Sequence, residues 1–222
     1  MAVTTEFFEA VRVGDVDRVG ALLRGDSSLA SATNERGISA LLWALYNGQP
    51  KVADRLIASG IELNIFEAAA AGDVARTRAL LASDPSLASA HSADGFSPLG
   101  LAAFFGRLEV LDLLLSEGAD PNAASRNSMR VTPLHSAAAH RGAETALRMV
   151  DALLRSGANP NAQQHGGWTP LQQAAAHGQL EMVELLLASG ADAAIQSDDG
   201  LTAADKAAAG GFRGVEERLR RG

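Results

Sequence analysis

The sequence predicts an all-α chain of about seven tandem helix-turn-helix units with short projecting loops, and three observations carry that expectation. Of 222 residues, 44 are Ala and 29 are Leu against 25 Val, Ile and Thr combined, a balance that favours helix over sheet. Three runs recur: Ser97-Pro98-Leu99-Gly100-Leu101-Ala102-Ala103, Thr132-Pro133-Leu134-His135-Ser136-Ala137-Ala138 and Thr169-Pro170-Leu171-Gln172-Gln173-Ala174-Ala175. Each is followed, after a glycine, by a Leu-Leu pair and then Gly-Ala at Gly118-Ala119, Gly157-Ala158 and Gly190-Ala191. Self-similarity of this kind marks a repeat architecture.

Every element of the unit has a local reason. Ser or Thr ahead of the run caps a helix by accepting from an orphan backbone N–H, and Pro at the first helical position loses nothing because its missing donor would be unpaired there. The Ala-Ala pair lets neighbouring helices approach closely. Gly106 and Gly178 then open a turn into a second helix, whose Val110, Leu111, Leu114 or Val183, Leu186, Leu187 fall on one apolar stripe. Gly118, Gly157 and Gly190 stand where a left-handed C-terminal cap is wanted. The runs at Thr132 and Thr169 match the Thr-Pro-Leu-His pattern of ankyrin repeats at four and three of its four positions. The chain therefore resembles the ankyrin-repeat family over nearly its whole length, which implies a solenoid that recognises other proteins.

Traced in order, the units fall near 6–34, 35–64, 65–92, 93–125, 126–164, 165–197 and 198–222, read as a single domain. The first three are degenerate, yet residues 8–64 align without gaps on 66–122 with 26 identities in 57, so a two-unit block was duplicated. Between Gly60 and Gly72 only 12 positions separate what the family spaces by 21. About nine residues are missing, which predicts a chain passing from Asn64 straight into helix, no projecting loop between units two and three, and a notch in the solenoid. Unit five carries four extra residues between Ala138 and Gly157, about one helical turn, and has Arg130 where its loop would otherwise have glycine. The charged ending Val215-Glu-Glu-Arg-Leu-Arg-Arg-Gly222 reads as a solvent-facing cap, its arginines suited to a helix C-terminus.

Composition narrows the function classes. A net charge of −7 has the wrong sign for attraction to nucleic acid or anionic membrane surfaces. With no cysteine there is no disulfide, thiolate metal site or cysteine nucleophile. No stretch approaches the roughly 18 apolar residues of a membrane span, and the Met1 to Glu9 stretch has no secretory pattern, so the expected setting is the cytoplasm and the expected form a monomer.

Chemistry is sparse. No phosphate-binding glycine loop, Gly-x-Ser-x-Gly or His-Glu-x-x-His run occurs, so no catalytic residue, cofactor or metal is assigned. His135, at the fourth position of its run, is implied by the resemblance to bridge adjacent loops. His140 and His177 end consecutive first helices with His165 in a nearby loop, which leaves a metal-dependent enzyme as a minor alternative. Asp94-Gly95 and Asp199-Gly200 read as turn chemistry, and Trp43 and Leu45 as core packing. By alignment with the motif, the inner face of the stack carries Tyr46 in unit two, Phe96, Phe104 and Phe105 in unit four, Met129, Val131 and His140 in unit five, and Trp168 and His177 in unit six. Aromatics clustered with Met are the composition of interface hot spots. The function expected is a non-catalytic scaffold or adaptor binding a protein partner through the groove of units four to six, with a dedicated regulator or inhibitor of one enzyme as the alternative.

Overall fold

The computed structural model describes residues 2–221; Met1, which opens the N-terminal stretch, and Gly222, which closes the last unit, lie outside it. Its helices run as consecutive pairs. These are α1 Ala2–Val13 with α2 Val16–Gly25, α3 Ala40–Tyr46 with α4 Pro50–Ile57, α5 Ile65–Ala71 with α6 Val74–Ser83, and α7 Pro98–Phe104 with α8 Leu108–Ser116. The series continues with α9 Pro133–Ala138 and α10 Ala143–Arg155, α11 Pro170–Ala176 and α12 Leu180–Ala188, and α13 Ala203–Ala209 and α14 Arg213–Arg220. Among the described residues there is no strand, only an isolated antiparallel bridge from Thr33 to Ser39 that closes one loop.

The first helices start as the sequence dictates. Ser39, Ser97, Thr132, Thr169 and Thr202 each cap one, accepting from the backbone N–H three residues on. The helices then stack through alanine: Ala44, Ala69, Ala102, Ala137 and Ala174 have no accessible surface. Behind them the second helices supply the bulk of the core, with Val52, Leu56, Leu111, Leu114, Met149, Leu153 and Leu186 fully buried. Small residues in front and large ones behind let each pair press on the next.

The turns between paired helices are stitched as well. Arg107 Nε donates to the carbonyl of Ala70 at 2.9 Å, and Gln49 Nε2 donates to that of Arg12 at 3.1 Å, so each satisfies the open C-terminal end of the preceding first helix. At Gly106 the next unit's His140 ring lies so close that a Cβ would stand 2.3 Å from Nε2, and φ is +69°. Only glycine fits there. The terminal arginines are engaged with acids: Arg220 with Glu216 at 3.0 Å and Asp205 at 3.4 Å, Arg221 with Glu217 at 3.1 Å. Helix α14 buries Val215 and Leu219 and exposes its charged side, as a cap should.

Where the sequence is short of residues, Asn64 caps α5 directly, its side chain accepting from Phe66 and Glu67 while Glu67 accepts from the Asn64 N–H. The projecting loop is absent as expected, but the notch is closed. Loop 33–39 of the second pair meets loop 91–97 of the fourth: a Cβ on Gly37 would lie 3.0 Å from that of Ala93. With nothing between them, second neighbours become first neighbours. In the fifth pair, α10 has 13 residues against 9 in both α8 and α12, so the four-residue insertion is one added helical turn.

Arg130 occupies the loop position that glycine holds elsewhere and keeps the glycine conformation, with φ +50°. A left-handed backbone costs a side-chain-bearing residue about 1 to 2 kcal/mol. Arg130→Gly is therefore expected to stabilise the protein by about 1 kcal/mol in thermal or denaturant melts. A melting midpoint that stays put or falls would mean that contacts of the Arg130 side chain offset the strain.

Candidate functional site

Counting from each first-helix cap gives the register of the inner face. Seven and eight positions after Ser39, Asn64 and Ser97 stand Tyr46 and Asn47, Ala71 and Gly72, and Phe104 and Phe105. The third pair thus offers its smallest residues between two aromatic-bearing neighbours, and the aromatics meet across it. Tyr46 lies 5.8 Å from Phe104 and 5.3 Å from Phe105, centroid to centroid; Phe104 and Phe105 stand edge to face at 5.0 Å, and Phe96 is 6.5 Å from Phe104. Beneath them Ile38, Leu42, Ala70 and Leu101 form a buried floor. Tyr46 donates its hydroxyl to Asp94 at 2.7 Å. Burial, and then the bond to that carboxylate, push the Tyr46 phenol well above its ordinary range. Phe104 nevertheless remains 46% exposed.

The other residues singled out from the sequence divide between structural roles and open surface. Met129 is 47% exposed at its loop tip, where its carbonyl accepts from the His165 N–H at 2.9 Å, and Val131 is half-buried beside it. Trp168 is half-buried beneath the Lys206 ammonium, 4.3 Å from the ring centroid, in a cation–π contact. His140 accepts at Nδ1 from the Gly142 N–H at 3.1 Å and covers Gly106; His177 and His165 are exposed. Among the described residues no three His, Asp or Glu side chains are grouped to hold a metal ion.

The sequence gives Trp43 to the core, and the structure corrects that in part. Its ring packs on the core but also faces a cavity of about 690 Å³ walled by Thr4, Phe8 and Arg12 of α1 and by Asn34. Thr4, Phe8 and Arg12 are spaced four apart and share one helix face, a pattern that marks this wall in the sequence.

The loops form a ladder. Arg126 N–H donates to Gly95, His165 N–H to Met129 and Asp198 N–H to Gly166, at 2.8, 2.9 and 2.9 Å. His135 ties the ladder to the helices: its Nε2 donates to the Trp168 carbonyl at 3.0 Å, so its Nδ1 accepts from the Thr132 hydroxyl at 2.7 Å. Gln172 performs the same task one unit on, donating to Ile195 and Leu201 at 2.9 and 3.2 Å.

A family model described as Ankyrin repeats (3 copies) matches residues 65–163 and 134–217, about two thirds of the chain between them. The chain belongs to the ankyrin-repeat family. It is 43% identical over 93 residues to the E3 ubiquitin-protein ligase XB3 of Oryza sativa subsp. japonica. To the Probable E3 ubiquitin-protein ligase XBOS31 of the same organism it is 40% identical over 90 residues. Those stretches are 41% and 40% of this chain but 20% of each relative, so the similarity spans about a fifth of the length of the curated proteins matched. An ankyrin stack is a protein-interaction scaffold in its architecture. No helix of the described residues is long and apolar enough to cross a membrane.

Burial pushes the His135 imidazole of this ankyrin stack down to about 4, against the opposing bond to Trp168. The unfolded chain, with an ordinary imidazole near 6.5, binds the proton first as pH falls. Stability is therefore expected to drop by on the order of 3 kcal/mol between about pH 6.5 and 4 through this group alone, then to level. Asp199 adds a second loss lower down, as pH falls from its ordinary value through about 2, because its bonds from Lys206 and Ser197 favour the charged form. Melting curves of the protein and of His135→Gln across pH 4 to 7 check this; equal slopes in both would contradict it.

Proposed function

We propose that the protein is a non-catalytic scaffold or adaptor that grips one protein partner on its inner face. The observation that carries this reading is the aromatic ledge in which Tyr46, Phe96 and Phe105 are half-buried and Phe104 stands exposed. It gathers four of the ten Phe, Trp and Tyr side chains at one place on the surface. A soluble chain gains no stability from leaving the Phe104 ring in water, and an exposed apolar patch of this kind suits burial by a partner. Met129, Val131, His140, Trp168 and His177 extend the proposed contact along units five and six.

The ligase names of the relatives describe proteins of which this chain matches a fifth, so ligase activity is not carried over. What supports the scaffold reading is the shared repeat. Its specificity would come from the side chains of the ledge rather than from the fold.

Burying an aromatic ring contributes about 1.5 to 3 kcal/mol, and truncating a hot-spot residue costs at least about 2 kcal/mol. With the partner captured on the immobilised chain, Phe104→Ala with Met129→Ala is expected to weaken its binding at least tenfold, while Glu109→Ala on α8 leaves it unchanged. Both inner-face residues are exposed, so the variant should keep its helicity and melting midpoint. A well-folded variant that binds normally would move the contact away from the ledge.

A further inference from the structure

Loops 33–39 and 91–97, brought together by the missing loop, enclose a cleft of about 530 Å³. Its lining includes Arg36 and Ile38 from one loop, His91 and Asp94 from the other, and Arg126 and Asn127 from the loop beyond. Loops 91–97 and 125–132 are tied together, the Arg126 N–H donating to the Gly95 carbonyl and the Asn127 side-chain Nδ2 to the Asp94 carbonyl, both at 2.8 Å. Loops 33–39 and 91–97 touch through Gly37 and Ala93, and the cleft opens beside that contact.

The charges there are unbalanced. Arg36 and Arg126 are both exposed, project from loops on either side of 91–97, and have no acidic partner among the described residues. Asp94 is the acidic residue of the lining, and its carboxylate is already committed, accepting from the Tyr46 and Ser92 hydroxyls. Two guanidinium groups against one carboxylate leave a net +1 in a chain of net −7. His91 adds an imidazole to the lining, its Nδ1 buried with no hydrogen-bond partner among the described residues. An unsatisfied buried polar atom is a standing cost.

We propose that this cleft is a carboxylate-binding site. Guanidinium forks match the two oxygens of a carboxylate in geometry and charge. A monoanion neutralises the single net positive charge of the lining, whereas a phosphate dianion would leave a net charge of −1 beside Asp94. In a protein partner the group would be an Asp or Glu side chain or a chain terminus seated next to the aromatic ledge, an assignment that rests on the protein-binding reading, although the chemistry of the cleft does not. The absent loop would then do more than shorten the solenoid: it would create the pocket that reads charge beside the surface that reads apolar shape.

The test is an NMR titration of the full chain, observing the arginine Nε–Hε and imidazole signals at constant ionic strength held with chloride. N-acetylglutamate α-amide supplies a side-chain carboxylate, N-acetylglycine a terminal one, and inorganic phosphate the competing anion. Saturable shifts confined to Arg36, Arg126 and His91 with either carboxylate are expected, the tighter of the two naming the source, and Arg36→Gln should weaken binding at least about tenfold without loss of helicity. Shifts that never saturate or that spread over all arginines would overturn the proposal, as would phosphate binding tighter than both carboxylates. Because no partner protein enters the titration, its failure removes the carboxylate site and leaves the protein-binding reading to the Phe104 test.

Discussion

No helix pair in this chain can bury its apolar side alone. A first helix such as α7 has seven residues, too few to persist in isolation, and its alanines have nothing to cover them except the neighbouring pair. The core is therefore built from contacts between neighbouring pairs. Alanines without accessible surface set how near the helices come, and that nearness lets Arg107 reach the end of α5, His140 cover Gly106 and the loops at Arg126, His165 and Asp198 each donate to the one before. The stack is held by short polar ties laid over a thin apolar seam, as nearest-neighbour repeat architectures require.

The third pair is where that rule produces something new. Without a projecting loop and with Ala71 and Gly72 on its inner face, it separates the second and fourth pairs at the level of the backbone but not at the level of their side chains. Tyr46 reaches over it to Phe104, Phe105 and Asp94. The deletion thus accounts for the contact of Gly37 with Ala93 and for the cleft between Arg36 and Arg126, and the small Ala71 and Gly72 for the meeting of the aromatics. The two flanking pairs are copies of each other, and Tyr46 and Phe104 occupy equivalent positions in them, so an aromatic in one register became a pair of facing aromatics once the intervening unit was trimmed.

The helices, their caps and the added turn of α10 were legible because they rest on local chemistry: Ser or Thr before Pro, the alanine pair, the glycine turn and the count of residues between fixed points. The loss of the loop was legible in the same way. Its consequence was not, since residue spacing along the chain says nothing of which loops meet once one is removed, and the expected notch proved to be a closed contact. The ledge was half legible. Alignment to the motif placed Tyr46, Phe96, Phe104 and Phe105 on the inner face, but their mutual contact depends on what α5 lacks. Trp43 reads as core packing from its place on a first helix, and it does pack on the core, yet it also lines a cavity, because burial at that position is set by the neighbouring pair. The cleft left no more signal than Arg36 and Arg126, residues that look like ordinary surface charge until the loops are brought side by side.

Second-neighbour units touch in this stack, and the single tyrosine of the chain is a direct probe of that contact. Nuclear Overhauser contacts of the Tyr46 ring protons, recorded on the intact protein, should connect that ring to both Phe104 and Phe105. A Tyr46 ring that shows contacts only within α3 and α4 and with the alanines of α5 would contradict the account, together with the ledge and the cleft that depend on it.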